Sequence, residues 1–127
     1  MKLDQHHNKA ERALKYAKSI GVDEVSLSFA DGKGFSVTAR NGSIETVQDY
    51  KDQSFNITVY LGKSVGGASS NDLSERAIQS TIDKAYSLSS LTASDECNGL
   101  ADKERMASTP IDLDLYNPWN LDINQAK

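Results

Sequence analysis

Ala10, Ala13, Leu14 and Ala17 recur at i, i+3, i+4 and i+7, with Lys9, Glu11, Arg12, Lys15 and Lys18 on the rest of the wheel. This spacing predicts an amphipathic helix over 8–20, and its narrow alanine stripe suits close packing. Gly21 stands where a C′ residue belongs and predicts the stop. The period then changes from 3.6 to 2. Val25, Leu27 and Phe29 alternate with Glu24, Ser26 and Ser28, which predicts a strand. Asp31-Gly32-Lys33-Gly34 reads as a turn by composition. Phe35, Val37 and Ala39 alternate with Ser36, Thr38 and Arg40 up to Asn41-Gly42. Asn-Gly accepts the two positive φ angles of a type I′ turn and is a strong hairpin signal.

Two further runs follow. In Ser43–Tyr50 the residues Ile44 and Val47 are out of phase, which predicts a bulge or an edge strand. In the next run Phe55, Ile57, Val59 and Leu61 share one face, opposite Asn56, Thr58 and Tyr60. Gly62-Lys63 turns the chain into Ser64–Ser69, a glycine-rich and closely packed strand. A second helix is expected over 74–89, with Ser74 as N-cap and Glu75 in the first turn. Ala77, Ile78, Thr81, Ile82, Ala85 and Leu88 form its stripe. The fold class is therefore α+β: an antiparallel sheet of four to five strands, with an N-terminal and a C-terminal helix packed on one face.

From 93 onward no period persists. Pro110, Pro118 and several Asp and Asn residues interrupt the chain, while Leu113, Leu115, Tyr116 and Trp119 are too apolar for a free tail. The expected organisation is an α+β domain over 1–92, then an extended linker over 93–127. That linker would lead into a C-terminal domain outside this sequence, making the chain a fragment.

Composition narrows the function. The chain has 127 residues, a net charge of −4, 38% apolar and 25% charged residues, which suits one globular domain. No basic stripe supports phosphate-driven nucleic-acid binding. No apolar run approaches a membrane span or a signal core. A single cysteine, Cys97, rules out an internal disulfide framework and fits a reducing, cytoplasmic setting.

Candidate chemistry is sparse. His6 and His7 are the only histidines, and neighbours on a helix point in different directions, so one metal ion does not readily take both. They read as solvated residues near the terminus. Cys97 lies beside Asp95 and Glu96, which disfavour a thiolate. Asp31-Gly-Lys-Gly and Gly62-Lys-Ser-Val-Gly-Gly fit neither phosphate-loop nor dinucleotide spacing. The acids Asp95, Glu96, Asp102, Glu104, Asp112 and Asp114 lack calcium-loop spacing. Tyr116 and Trp119 beside Pro118 form a sticky patch, read as docking onto the chain's own next domain. No catalytic, cofactor-binding or metal-binding residue is assigned.

Six segments, taken in order, resemble one family. They are Ala-Leu-Lys-Tyr-Ala-Lys-Ser-Ile-Gly-Val-Asp-Glu-Val (13–25), Val-Thr-Ala-Arg-Asn-Gly-Ser-Ile-Glu-Thr-Val (37–47) and Ile-Thr-Val-Tyr-Leu-Gly-Lys (57–63). Ala-Ser-Ser-Asn-Asp-Leu-Ser (68–74), Asp-Glu-Cys-Asn-Gly-Leu-Ala-Asp (95–102) and Asp-Leu-Asp-Leu-Tyr-Asn-Pro-Trp (112–119) complete the set. Together they resemble the N-terminal domain of the TldD/PmbA metallopeptidase family, also called modulators of DNA gyrase, and the last two point to its PmbA/TldE branch. The chain departs from the family pattern at Glu96, where proline is expected before the cysteine, and at Glu75, where proline often opens the helix.

The resemblance implies a fold and a context rather than a catalytic group. In this family the TldD-type subunit carries zinc on an HExxxH helix and a further cysteine, beyond the N-terminal domain. The PmbA-type subunit lacks that motif and forms a heterodimer with it. The complex processes peptides, including leader removal from microcin-type precursors, and degrades unfolded polypeptides, including an antitoxin. None of the family's catalytic residues maps onto 1–127, and Cys97 is not its zinc-binding cysteine. The gyrase label implies an indirect genetic effect. The expected partners are a TldD-type subunit, or self-association, and an unfolded peptide; exposed strand edges at Ser43–Tyr50 or Ser64–Ser69 would guide that peptide by β-augmentation. The alternative is a stand-alone protein-binding regulator in the gyrase or toxin–antitoxin pathway. A third reading, an enzyme using Asp or Glu pairs, finds no recognisable spacing.

Overall fold

The structure is a computed structural model that describes residues 2–127. Helix α1 spans Lys2–Ser19, strand β1 Glu24–Arg40, strand β2 Ser43–Leu61, strand β3 Ser64–Ser70 and helix α2 Glu75–Leu91. A single 3-10 turn at Lys103–Arg105 and a short helix α3 at Ile123–Ala126 follow. The sheet has three strands in the order β1-β2-β3. The expected α+β class holds, but the expected four to five strands are three. The chain divides into two compact units, Met1–Asp31 with Asp52–Leu100 and Gly32–Lys51 with Ala101–Lys127.

The first unit holds the core. Phe55, Ile57 and Val59 of β2 are buried, and Asn56 between them is exposed, as the period of two requires. Val25, Leu27 and Phe29 of β1 pack against that core, with Phe29 and Phe55 rings 4.8 Å apart. Such an aromatic pair contributes about 0.5–1.5 kcal/mol beyond its burial. Helix α1 adds Ala13 and Ala17, whose small side chains permit close approach. Leu14, expected in the same stripe, is 37% exposed. The α1 stop is a Schellman motif: the Val22 amide donates to Ala17 O, the Gly21 amide donates to Lys18 O, and Gly21 has φ +90°. The helix starts earlier than the spacing predicts, so His6 and His7 are helical and Asp4 lies in its first turn.

Helix α2 begins at the expected cap. Ser74 Oγ accepts from the Ala77 amide at 3.3 Å. Ile78, Thr81, Ile82 and Ala85 are buried as predicted, but Leu88 is 48% exposed and Ser89 is buried in its place. The cause is Gly66 of β3. A Cβ there would strike Ala85 O and Ser89 N, so the helix backbone rests on the strand at this point. Only a small residue fits beneath, and the helix turns so that Ser89 occupies the contact. Strand β3 pairs antiparallel with β2 from Leu61↔Ser64 to Phe55↔Ser70. Gly62 takes φ +57° in the two-residue turn between them, the positive first position of a type II′ turn.

Residues 93–100 are tied to this unit. Asp95 N and Asn98 Nδ2 both donate to Lys63 O, Lys63 Nζ donates to Asn98 O, and Leu100 N donates to Glu24 Oε2.

In the second unit the turn at Asn41 and Gly42 has φ +52° and +76°, the type I′ pattern expected. The expected turn at 31–34 does not form. Gly32 and Gly34 continue β1, and neither has a positive φ. At Gly34 the end of the exposed Tyr50 side chain from the facing strand lies over the glycine, where a Cβ would stand unless that ring moved aside. Likewise, the two runs separated at 51 are one strand, β2. Between Ser43 and Ser54, β2 has β1 alone as a strand neighbour, because β3 begins its pairing opposite Phe55. That explains the irregular phase of Ile44 and Val47, which are 42% and 39% exposed.

Candidate functional site

The two histidines differ in setting. His6 is only partly exposed, not the fully solvated residue expected. It stacks on Phe29 with ring centroids 5.8 Å apart, and both ring nitrogens are buried without a hydrogen bond. Its Nε2 lies 3.7 Å from Asp31 Oδ2, too far for a hydrogen bond. His7 is exposed, with Nε2 3.4 Å from Glu11 Oε1 one turn along. The helix points the two rings apart, as the adjacent positions require. Cys97 is exposed in the loop beside Lys63, where its amide donates to Asp95 Oδ1 at 2.8 Å.

Three acidic residues of the last third organise local backbone. Asp95 caps Cys97, Asp112 accepts from the Asp114 amide, and Asp122 forms a capping box with Gln125. Among the described residues, no three of His, Cys, Asp or Glu come together to hold a metal ion. The zinc implied for the family's metallopeptidases therefore does not fit the residues described here.

Concave regions occur at several places among the described residues. The first, about 270 Å³, lies between α1 and the start of α2 over Ala13, Leu73 and Ile78. Its rim is already committed: Lys9 Nζ donates to Leu73 O at 2.9 Å and Arg12 pairs with Glu75 at 3.4 Å. Near it Tyr16 Oη donates to Asp83 Oδ1 at 2.9 Å, and this bond, with burial adding to it, pushes the Tyr16 hydroxyl above its ordinary range. The second, about 470 Å³, lies beside β3 and α2 and is lined by Ala68, Ser80, Asp83, Lys84, Ser87 and Leu88. The third, about 630 Å³ and within the second unit, includes Phe35, Asp49 and Trp119. Trp119 and Tyr116, singled out in the sequence as sticky, remain 82% and 85% exposed, beside Leu115 at 83% and Ile111 at 79%. The β3–α2 groove was not visible in the sequence as a unit. Its one signal was a stripe residue, Leu88, placed at the end of a helix beside a glycine-rich strand.

Comparison with known proteins places this architecture. The PmbA/TldA metallopeptidase domain 1 matches residues 25–89. A metalloprotease PmbA homolog from Haemophilus influenzae is 37% identical over 123 residues, which is 91% of this chain and 27% of that protein. Metalloprotease PmbA from Escherichia coli O157:H7 is 40% identical over 113 residues, or 89% of this chain and 24% of that protein. The chain thus spans about a quarter of the length of these relatives. The crystal structure of a proposed modulator of DNA gyrase from Bacteroides thetaiotaomicron superposes with a TM-score of 0.77 at 21% identity, over 87% of this chain and 25% of that one. That of TldE from Thermococcus kodakarensis gives 0.69 at 14% identity, over 81% and 23%. At these identities the structures establish the shared fold. The family match covers β1 through most of α2, the sheet and helix that build the core, and the chain belongs to the PmbA/TldA metallopeptidase family, in the position of its first domain.

Proposed function

We propose that the chain is the N-terminal, non-catalytic domain of a PmbA/TldE-like subunit in a zinc metallopeptidase complex that processes peptides and degrades unfolded polypeptides. The observation carrying this reading is the 37% identity to a metalloprotease PmbA homolog, sustained over 91% of the chain. Zinc belongs to a TldD-type partner, with which the longer protein forms a heterodimer in the cytoplasm. No helix among the described residues is long and apolar enough to cross a membrane. Residues 93–127 lead toward the rest of that longer protein. The exposed Ile111, Leu115, Tyr116 and Trp119 support this role, because a run of large apolar side chains in water is a surface awaiting cover.

The test is co-purification of the chain, extended to its relatives' length, with a TldD-type subunit, followed by cleavage of an unfolded peptide. The expected outcome is a stable complex whose cleavage needs both subunits and stops with a zinc chelator. Two proteins that elute apart and show no cleavage together remove the reading.

A further inference from the structure

We propose that the open edge of β3, with the outer face of α2 beside it, is a docking groove for an extended, unfolded polypeptide. The assignment deepens the peptide-processing reading above and rests on it for the nature of the incoming strand.

The register supplies the first reason. The two-residue turn makes Leu61↔Ser64 a hydrogen-bonded pair, so Val59↔Gly66, Ile57↔Ala68 and Phe55↔Ser70 are bonded pairs as well. Ser64, Gly66, Ala68 and Ser70 therefore turn their backbone groups toward β2. Val65, Gly67 and Ser69 turn theirs outward, and β3 is the last strand of the sheet. Among the described residues, no hydrogen bond reaches those three outward amides and carbonyls. A row of free donors and acceptors at this spacing is complementary to another strand.

The second reason is that the edge is unprotected. Folded proteins usually blunt an exposed edge with charge or proline. Ser64–Ser70 carries neither, whereas β1, the other outer strand, carries Glu24, Asp31, Lys33 and Arg40.

The third is the wall beside the edge. Helix α2 lies against Gly66 and continues past Ala68, leaving the groove of about 470 Å³ lined by Ser80, Lys84, Ser87 and Leu88. Leu88 falls in the helix's apolar stripe yet is 48% exposed, and Leu91, one turn on, is 85% exposed. An added strand would place alternate side chains over Leu88 and Ala68 and cover the stripe. Asp83 and Lys84 bring opposite charges to the rim, so the groove selects extended backbone more than sequence.

The size favours a peptide over a second copy. Five residues paired from Val65 to Ser69 extend about 17 Å at ~3.4 Å per residue. Their contact falls well short of the ~1,200 Å² that a stable protein–protein interface buries.

The test uses the 127-residue chain, ¹⁵N-labelled, and an unstructured seven-residue peptide of alternating serine and valine. Saturating peptide should shift the amide signals of Val65, Gly67 and Ser69 and slow their exchange with deuterium. N-methylation along the peptide edge that pairs with β3 should weaken binding by about tenfold or more, and along its other edge should not. Leu88→Ser should weaken binding while leaving the chain folded, with the amide spectrum of the other strands unchanged. No shift at millimolar peptide, or shifts confined to other strands, overturns the assignment. Protection of the same amides without peptide, rising with protein concentration, also overturns it and gives the edge to a second copy. Metal, partner and hydrolysis are absent from this measurement. Peptide binding by a chain whose heterodimer cleaves nothing would uphold the groove and remove the peptidase reading. Cleavage without edge binding would do the reverse.

Discussion

Gly66 shows how much one residue can decide. Adding a methyl group there forces either β3 or the α2 backbone to move, since both obstructing atoms are main chain. Gly66→Ala should cost about 1–3 kcal/mol of stability. Gly67→Ala, whose new Cβ would meet Ile57 O at an ordinary 3.6 Å, should cost less than half of that. Urea denaturation of both variants makes the comparison.

Two titrating side chains add pH dependence of opposite sense. The Ser74 amide, donating at 2.8 Å, holds the Asp72 carboxyl below the usual carboxylate range, helped by the Ser74 hydroxyl and Lys9 against a smaller burial effect. A folded pKa below the unfolded value stabilises above the unfolded pKa, about 3.9, and the gain is lost as pH falls through the folded one. Asp72→Ala should therefore lower the urea midpoint at pH 7, and the loss should shrink as pH falls below the unfolded pKa toward the folded one. Tyr16 is the reverse case. Its bond to Asp83 keeps the phenol protonated, so its contribution is whole below the unfolded pKa of about 10 and is lost as pH rises through the folded value. Tyr16→Phe should matter at pH 7 and cease to matter above that range.

At the scale of elements, caps and turns were the most legible features. Ser74, Gly21, Asn41-Gly42 and Gly62 act as their residue types predict, because capping and positive φ are decided by the residue itself. Ser74→Ala should cost about 1 kcal/mol, measured as a fall in thermal stability followed at 222 nm. Gly42→Val should loosen the hairpin of the second unit, seen as faster amide exchange in 36–48, without altering α2. Strand continuity was not legible. Asp31-Gly-Lys-Gly has turn composition, yet Gly34 serves a cross-strand contact with Tyr50, and nothing local distinguishes these uses. The exchange of Leu88 for Ser89 was hidden for the same reason. A helical period names a stripe, and the neighbouring strand decides which edge of it is covered.

For the whole molecule, every fully buried side chain falls in Met1–Asp31 or Asp52–Leu100. Phe55, Val59 and Ile82 are among them, each worth about 1.5–3 kcal/mol when buried. Removing 101–127 should therefore leave the helical signal and the cooperative melt of the remaining chain within about 1 kcal/mol. A collapse of that melt would show that the tail stabilises the core.

The sequence by itself determined the α+β class, the two helices and both tight turns, because periodicity, caps and positive-φ residues are local properties; the family followed separately, from the resemblance of six ordered segments. It also led to no metal or catalytic assignment for His6, His7 or Cys97. Only the tertiary structure decided that five short runs are three strands, that His6 lies against Phe29 and Asp31, and that β3 keeps an open edge beside Leu88. Those outcomes depend on which residues meet across the fold, and a linear pattern does not encode who the neighbour will be.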